Sequence, residues 1–302
     1  MKLPANLHVL QRGWLSANNI LFLGPGDSAL VDSGYVTHAA QTLTLVERVL
    51  AGQPLNRLIN THLHADHCGG NAALQTKYRC HTTIPVADAA AVSDWNQSAL
   101  SYQATGQQCP RFAFDATITG GDRLLLGGLE WQVLAAPGHD PHALVLYCPT
   151  DGLLISGDAL WENGFGVIFP ELQGEPGFAA TRATLDMIAS LDVRAVLPGH
   201  GAPFTDARGA LDRAYRRVDY LSADPVRNAQ NGVKVLVKFL LLERQRVPLA
   251  EIRQWMREVP LLIEANRRYL QMDEDALADW TVQQLVRVAA ASVADGMLVD
   301  RG

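Results

Sequence analysis

The stretch from Asn60 to Gly70, "NTHLHADHCGG", places His62, His64, Asp66 and His67 within six positions. Imidazoles and carboxylates are costly to bury unless something satisfies them. Three further polar motifs each follow an apolar run: "LAAPGHD" with His139, "LLISGDAL" with Asp158 and "AVLPGHG" with His200. Side chains at strand ends can converge on one edge of a sheet while the sheet holds them rigidly. A single catalytic zinc usually takes three protein ligands and a water, so seven candidates fit two metal ions better than one. In an extended segment His62 and His64 point the same way, and can share one ion with His139. Asp66 and His67 follow in a turn and can face a second ion with His200, while Asp158 bridges with its two oxygens. Imidazole and carboxylate together suit Zn²⁺, and Fe or Mn as well. Gly69 and Gly70 let the next segment pack closely behind the cluster.

Two metals this close would hold a water between them and lower its pKa toward neutrality. The expected nucleophile is therefore a metal-bridging hydroxide, with Asp66 orienting the water or receiving a proton. No GxSxG and no GxxxxGK[ST] offers an alternative. Cys68, between His67 and Gly69, is given a packing role. His8, His38 and His81 lack motif context and read as ordinary surface or capped histidines.

Outward from these motifs, "NNILFLG", "SALVDSG", "LNRLINTH", "LEWQVLAAPGH" and "VRAVLPGHG" read as strands, and "ALVLYCPTDGLLISGD" as a hairpin. "HAAQTLTLVERVLAG", closed by Gly52, and "GFAATRATLDMIASL", with Leu185, Ile188 and Leu191 at helical spacing, read as helices. The expected class is a layered α/β domain. Beyond about residue 210 the pattern turns helical, with Pro248 suited to a first helical turn and "ADGMLVDRG" to a terminal strand. A boundary is placed at Ser222 to Pro225, dividing 1–222 from 223–302. The segment 94–114 fits neither pattern. It reads as a lid or binding loop, or as a surface excursion packed on itself.

The 302 residues carry a formal net charge of −6, which disfavours a dedicated nucleic-acid binder. The start, "MKLPANLHVLQRGWLSANN", has no apolar run of the secretory kind. The most apolar stretch, "VKVLVKFLLLE", is short and interrupted by Lys234 and Lys238, so no membrane span is expected. Cys68, Cys80, Cys109 and Cys148 form no CxxC pair and read as reduced thiols. Cytoplasm is the expected location.

His62-x-His64-x-Asp66-His67, followed by His139, Asp158 and His200, resembles the metallo-β-lactamase fold hydrolases over roughly residues 5 to 210. The resemblance implies an αββα sandwich with a dinuclear site on one edge and the ligand division given above. "LVDSG" is similar to an early motif of that family, which implies that Asp32 orients a ligating histidine; read alone, Asp32 is a strand-end turn residue. The helical tail resembles the winged-helix-like tail of the cytosolic β-lactamase-like 2 branch, near the glyoxalase II-like enzymes. "PGHDPHALVL" departs from the family's usual PGHTxxH by placing His142 three residues after His139, which leaves His142 a supporting or substrate-facing residue.

The resulting expectation is hydrolysis of an ester-like bond in a small molecule, a thioester, lactone or relative. Trp161, Phe165 and Phe169 wall an apolar substrate pocket, or else are core aromatics. A second reading takes RNA, with Arg213, Arg216 and Arg217 as phosphate contacts against the simpler view of a solvated helix face. A third is a mononuclear iron dioxygenase acting on a glutathione persulfide. A regulatory module with a silent metal site fits poorly with a complete ligand set.

Overall fold

The computed structural model describes residues 3–24 and 26–302. Met1 and Lys2, which open the stretch read as lacking a secretory leader, and Pro25 fall outside them. One sheet runs in sequence order from β1 (Leu7–Leu10) through β2 (Asn19–Phe22), β3 (Ala29–Val31), β4 (Arg57–Ile59) and β5 (His81–Pro85) to β6 (Ala116–Ile118). Its first three strands are antiparallel neighbours, and β3 to β6 are parallel. The second sheet comprises β7 (Arg123–Leu126), β8 (Leu129–Ala135), β9 (Leu144–Cys148), β10 (Leu153–Gly157) and β11 (Ala195–Pro198), in the order 11-10-9-8-7.

The sheets face each other across a core that joins Ile20, Phe22, Val31 and Ile59 to Trp131, Val133, Leu146, Ile155 and Leu197. Successive strand side chains alternate faces. Leu146 and Cys148 of β9 therefore enter this core, while Val145 and Tyr147 meet helices behind it. Burial on both faces explains why β9 is an unbroken apolar run.

The connecting helices are α1 (Ala39–Leu50), α2 (Ala65–Cys68), α3 (Asn71–Tyr78), α4 (Ala89–Asp94), α5 (Tyr102–Thr105), α6 (Phe169–Gln173), α7 (Phe178–Ala189) and α8 (Ala207–Ser222). Val46, Leu50 and Leu74 of α1 and α3 cover the outer face of the first sheet. Leu185, Ile188, Leu211 and Val218 of α7 and α8 cover the second. This is the expected αββα layering. The turn after α1 differs in detail: Ala51 takes the left-handed cap (φ 49°), and Gly52 follows it in the same region.

Past residues 223 and 224, α9 (Pro225–Arg244) is capped by Asp224, whose side chain accepts from the Val226 N–H. It is followed by β12 (Arg246–Pro248), α10 (Leu249–Glu258), α11 (Pro260–Ala265), a π-helical turn (Asn266–Leu270), α12 (Glu274–Arg287), β13 (Ala291–Ala294) and β14 (Met297–Asp300). Pro248 is the residue before α10 rather than inside its first turn. The anticipated terminal strand is β14, the middle of a three-stranded antiparallel sheet. Its partners "RVP" and "ASVA" take strand conformation by pairing with it on either side. A second core fills this region and also takes in Val167 and Leu172.

The 94–114 segment packs on itself and on the body. Leu100, Tyr102 and Phe112 are buried with Tyr35 and Ile84. The Gln108 N–H donates to Tyr35 Oη at 3.1 Å, and its amide to Glu243 of α9 at 3.3 Å. Among the described residues, no helix is long and apolar enough to cross a membrane.

Candidate metal centre

Chain direction brings the motifs together. Strands β8 and β10 both run antiparallel to β9, and β11 runs parallel to β10, so their C-terminal ends share one edge. His139, Asp158 and His200 lie just past those ends. His62 and His64 lie just past β4 of the facing sheet, and Asp66 and His67 on the single turn α2. All seven are buried or nearly so. The chain approaches closely here. A Cβ at Gly199 would collide with Asp158 Oδ1 and His67, and one at Gly70 with the Ser33 carbonyl.

The donor atoms form two groups, His62, His64 and His139, and Asp66, His67, Asp158 and His200, each within 4.8 Å of one another. Asp158 faces both: Oδ2 lies 3.4 Å from His139 Nε2, and Oδ1 lies 3.3 Å from His67 Nε2 and 3.8 Å from His200 Nε2. Asp66 Oδ2 is 3.0 Å from His200 Nε2.

Outer hydrogen bonds fix three of the rings, and a carboxylate lies near a fourth. Asp32 Oδ2 accepts from His67 Nδ1 at 2.8 Å and from the Thr61 hydroxyl at 2.8 Å, while Oδ1 accepts from the Thr61 N–H at 2.9 Å. With its proton committed to Asp32, Thr61 Oγ1 accepts from His62 Nδ1 at 3.1 Å. His139 Nδ1 donates to the Val167 carbonyl, and His64 Nε2 points at Asp140 Oδ2, 3.5 Å away. Each ring so held turns its other nitrogen into the cluster, where His64 Nδ1 lies 2.7 Å from His139 Nε2. His62 Nε2 and His67 Nε2 are buried there with no protein partner. Buried polar atoms are seldom left unpaired. The orphaned nitrogens, aimed at carboxylates and other imidazoles, fit metal ions.

The electrostatics of the two groups differ. Burial holds His62 well below the usual histidine range and lowers His139 to about 4, so both stay neutral. Burial also opposes charge on His67, but Asp158, Asp32 and Asp66 more than offset it and raise its pKa well above the usual value. Burial likewise opposes ionisation of Asp158, yet His200 and His67 hold it well below the carboxylate range. The carboxylate side attracts positive charge, and the three-histidine side offers neutral donors.

The family model of the metallo-β-lactamase superfamily matches residues 12–200. The chain belongs to this superfamily. It is 33% identical over 183 residues to a hydroxyacylglutathione hydrolase of Dechloromonas aromatica (strain RCB), covering 60% of this chain and 54% of that protein. The chain thus spans about half the length of the curated relatives it matches first. A β-lactamase domain protein from Burkholderia ambifaria superposes with a TM-score of 0.60 at 20% identity, covering 100% of this chain and 94% of the other. A metallo-β-lactamase family protein from Thermus thermophilus gives 0.59 at 19% identity, covering 99% and 100%. These two likenesses establish fold and include the C-terminal region.

For this superfamily member, the edge opens into a cavity of about 340 Å³. Its floor holds His64, Asp66, His139, Asp158 and His200, and Trp161, Phe165 and Phe169 line it. The Trp161 indole N–H donates to Asp158 Oδ1 at 3.2 Å, and Phe169 meets the rings of His64 and His139 at 5.4 and 5.3 Å. Sequence reasoning missed Trp14, 55% exposed, which stacks on His200 within 4° of parallel at 5.5 Å. It also missed Asp140, although "PGHD" prints it beside His139, and the α9 face, whose Val235, Leu236 and Phe239 close the cavity. Among the described residues, His142 makes no hydrogen bond or ion pair to the seven. It pairs with Asp88 at 2.7 Å, and its N–H meets Asp140. Cys68 is buried, 3.1 Å from Tyr102 Oη and 3.7 Å from Cys109 Sγ. The three arginines diverge: Arg213 Nε donates to the Glu162 carbonyl at 2.7 Å, Arg216 is exposed, and Arg217 lines the cavity.

Proposed function

We propose that the protein is a dinuclear metal-dependent hydrolase of an ester-like bond in a small molecule, a thioester or lactone foremost. The carrying observation is Asp158, one buried carboxylate whose two oxygens face two separate donor groups at the floor of an aromatic cavity. In this reading His62, His64 and His139 would hold one ion, Asp66, His67 and His200 the other, and Asp158 would serve both. Zn²⁺ suits the donors best, with Fe or Mn also compatible. When bound, the metals supply an activated water and an electrophile for the substrate oxygen. Asp66, held ionised by His67 and His200 against the pull of burial, would orient that water. Asp32 and Thr61 keep His67 and His62 in the required tautomers. Trp161 fixes the orientation of Asp158, and Trp161, Phe165 and Phe169 exclude solvent from an apolar substrate.

The name of the Dechloromonas relative, a thioester hydrolase, supports this reaction class. The apolar lining and the divergence of the arginines favour a small acyl substrate over RNA. We read residues 1–222 as the catalytic unit and 223–302 as a winged-helix-like unit that walls the cavity through α9. Four free cysteines fit a cytoplasmic setting. The test is turnover of a panel of thioesters, lactones, phosphodiesters and RNA by the wild type and Asp158→Ala. Thioester or lactone turnover that falls with the substitution is expected. Turnover of RNA alone, or oxygen consumption with a persulfide, would replace the proposal.

A further inference from the structure

The cavity has further polar lining from α8 and α9, which pack against each other. Arg217 of α8 lies there with its guanidinium carbon 5.7 Å from the Phe165 ring centroid. Its Nε is buried without a partner, and among the described residues no carboxylate pairs with it. Asn231 of α9 also lines the cavity, and its Nδ2 is buried and unpartnered. Lys234, one turn further along α9, senses the charge of Arg217 and of Arg287, and burial lowers its pKa. The next cation on that face, Lys238, is neutralised by Asp300.

Unpaired donors are expensive to bury and unpaired cations more so. A guanidinium and an amide N–H buried without partners beside an aromatic wall, on side chains that line the cavity and with a second cation behind, match an oxyanion delivered by a ligand. We propose that Arg217 and Asn231, reinforced by Lys234, form an anion subsite for the non-scissile end of the substrate. The substrate class is then an ester or thioester with an apolar body and a terminal carboxylate or phosphate. The substrate-class statement rests on the hydrolase reading above; the subsite itself is tested by binding alone.

The binding test titrates the purified protein with octanoate, octyl phosphate and octanol by calorimetry, on wild type, Arg217→Gln, Arg217→Lys and Asn231→Ala. Wild type should bind at least one anion about tenfold or more tighter than octanol, and the tighter of the two anions identifies the group. Arg217→Gln should lose that preference by about 10- to 100-fold, Asn231→Ala by a few-fold, and Arg217→Lys should retain part of it. Unchanged circular dichroism and melting temperature show that the variants fold, and Asn231→Ala remains informative if Arg217→Gln does not. Equal binding of anions and octanol by wild type, or an anion preference that survives Arg217→Gln, would overturn the subsite. In parallel, kcat/KM for an acyl ester ending in a carboxylate, divided by that for its methyl-capped analogue, should fall toward one in Arg217→Gln. Absence of any ester turnover with anion binding intact would remove the hydrolase reading and leave the subsite standing.

Discussion

The cavity floor and its far wall are built on opposite principles. At the floor, three of five histidine rings are held by an outer hydrogen bond to Thr61, Asp32 or the Val167 carbonyl, and the unpartnered nitrogens of His62 and His67 sit among the other donors of the cluster. At the wall, Arg217 and Asn231 bury donors with no partner, and the surrounding surface is apolar. A preorganised floor decides which bond is attacked. An incompletely satisfied wall decides which molecule completes it.

Substitutions should separate the two regions. The largest effect belongs to the floor: Asp158→Ala should reduce ester hydrolysis by about a hundredfold or more, and a steady-state assay checks it. Asp32→Ala comes next. It strands the buried Thr61 N–H and frees His67 Nδ1, so metal affinity should fall about 10- to 100-fold and stability by about 1–3 kcal/mol. Competition with a chromogenic chelator and urea unfolding read the two changes.

Trp14→Ala probes the rim where floor meets wall. Loss of its stacking on His200 and edge contact with Trp161 should shift KM by a factor reflecting about 0.5–1.5 kcal/mol, with metal content retained. A loss of metal in Trp14→Ala would make this tryptophan part of the floor.

The smallest effect lies outside both regions. Asp88 raises the pKa of His142 above its usual value. The pair therefore stabilises the fold fully below the unfolded value of about 6.5, and that contribution is lost as pH rises through the raised folded value. His142 is 40% exposed, so screening limits the effect to below about 1 kcal/mol. His142→Ala should lower the melting temperature more in acid than in alkaline buffer. A deficit that grows with pH would contradict the assignment.

The floor was largely legible in the sequence because its residues sit at strand ends whose spacing survives in linear form. His62, His64, Asp66 and His67 are neighbours in the chain, and "PGH" and "SGD" announce the rest. The αββα layers were legible for a related reason: β9, β10 and β11 are apolar runs closed by turn residues. The wall was legible only in Arg217, which reads as one of three candidate phosphate contacts or as part of a solvated helix face. Arg217 follows Arg216 and resembles any solvated helix position until α9 lies across it. Trp14 and His200 are separated by most of the catalytic unit. Strands β12 and β13 take their conformation from pairing with β14, not from local pattern, and the 94–114 segment is ordered by contacts with Tyr35 and Glu243 on distant elements.

The central claim is that Asp158 joins two metal sites. Metal per chain, measured by elemental analysis on the purified wild type and Asp158→Ala, tests it most directly. The account predicts about two ions per wild-type chain and a clear loss in the variant. One ion per chain in the wild type, unchanged by Asp158→Ala, would contradict it.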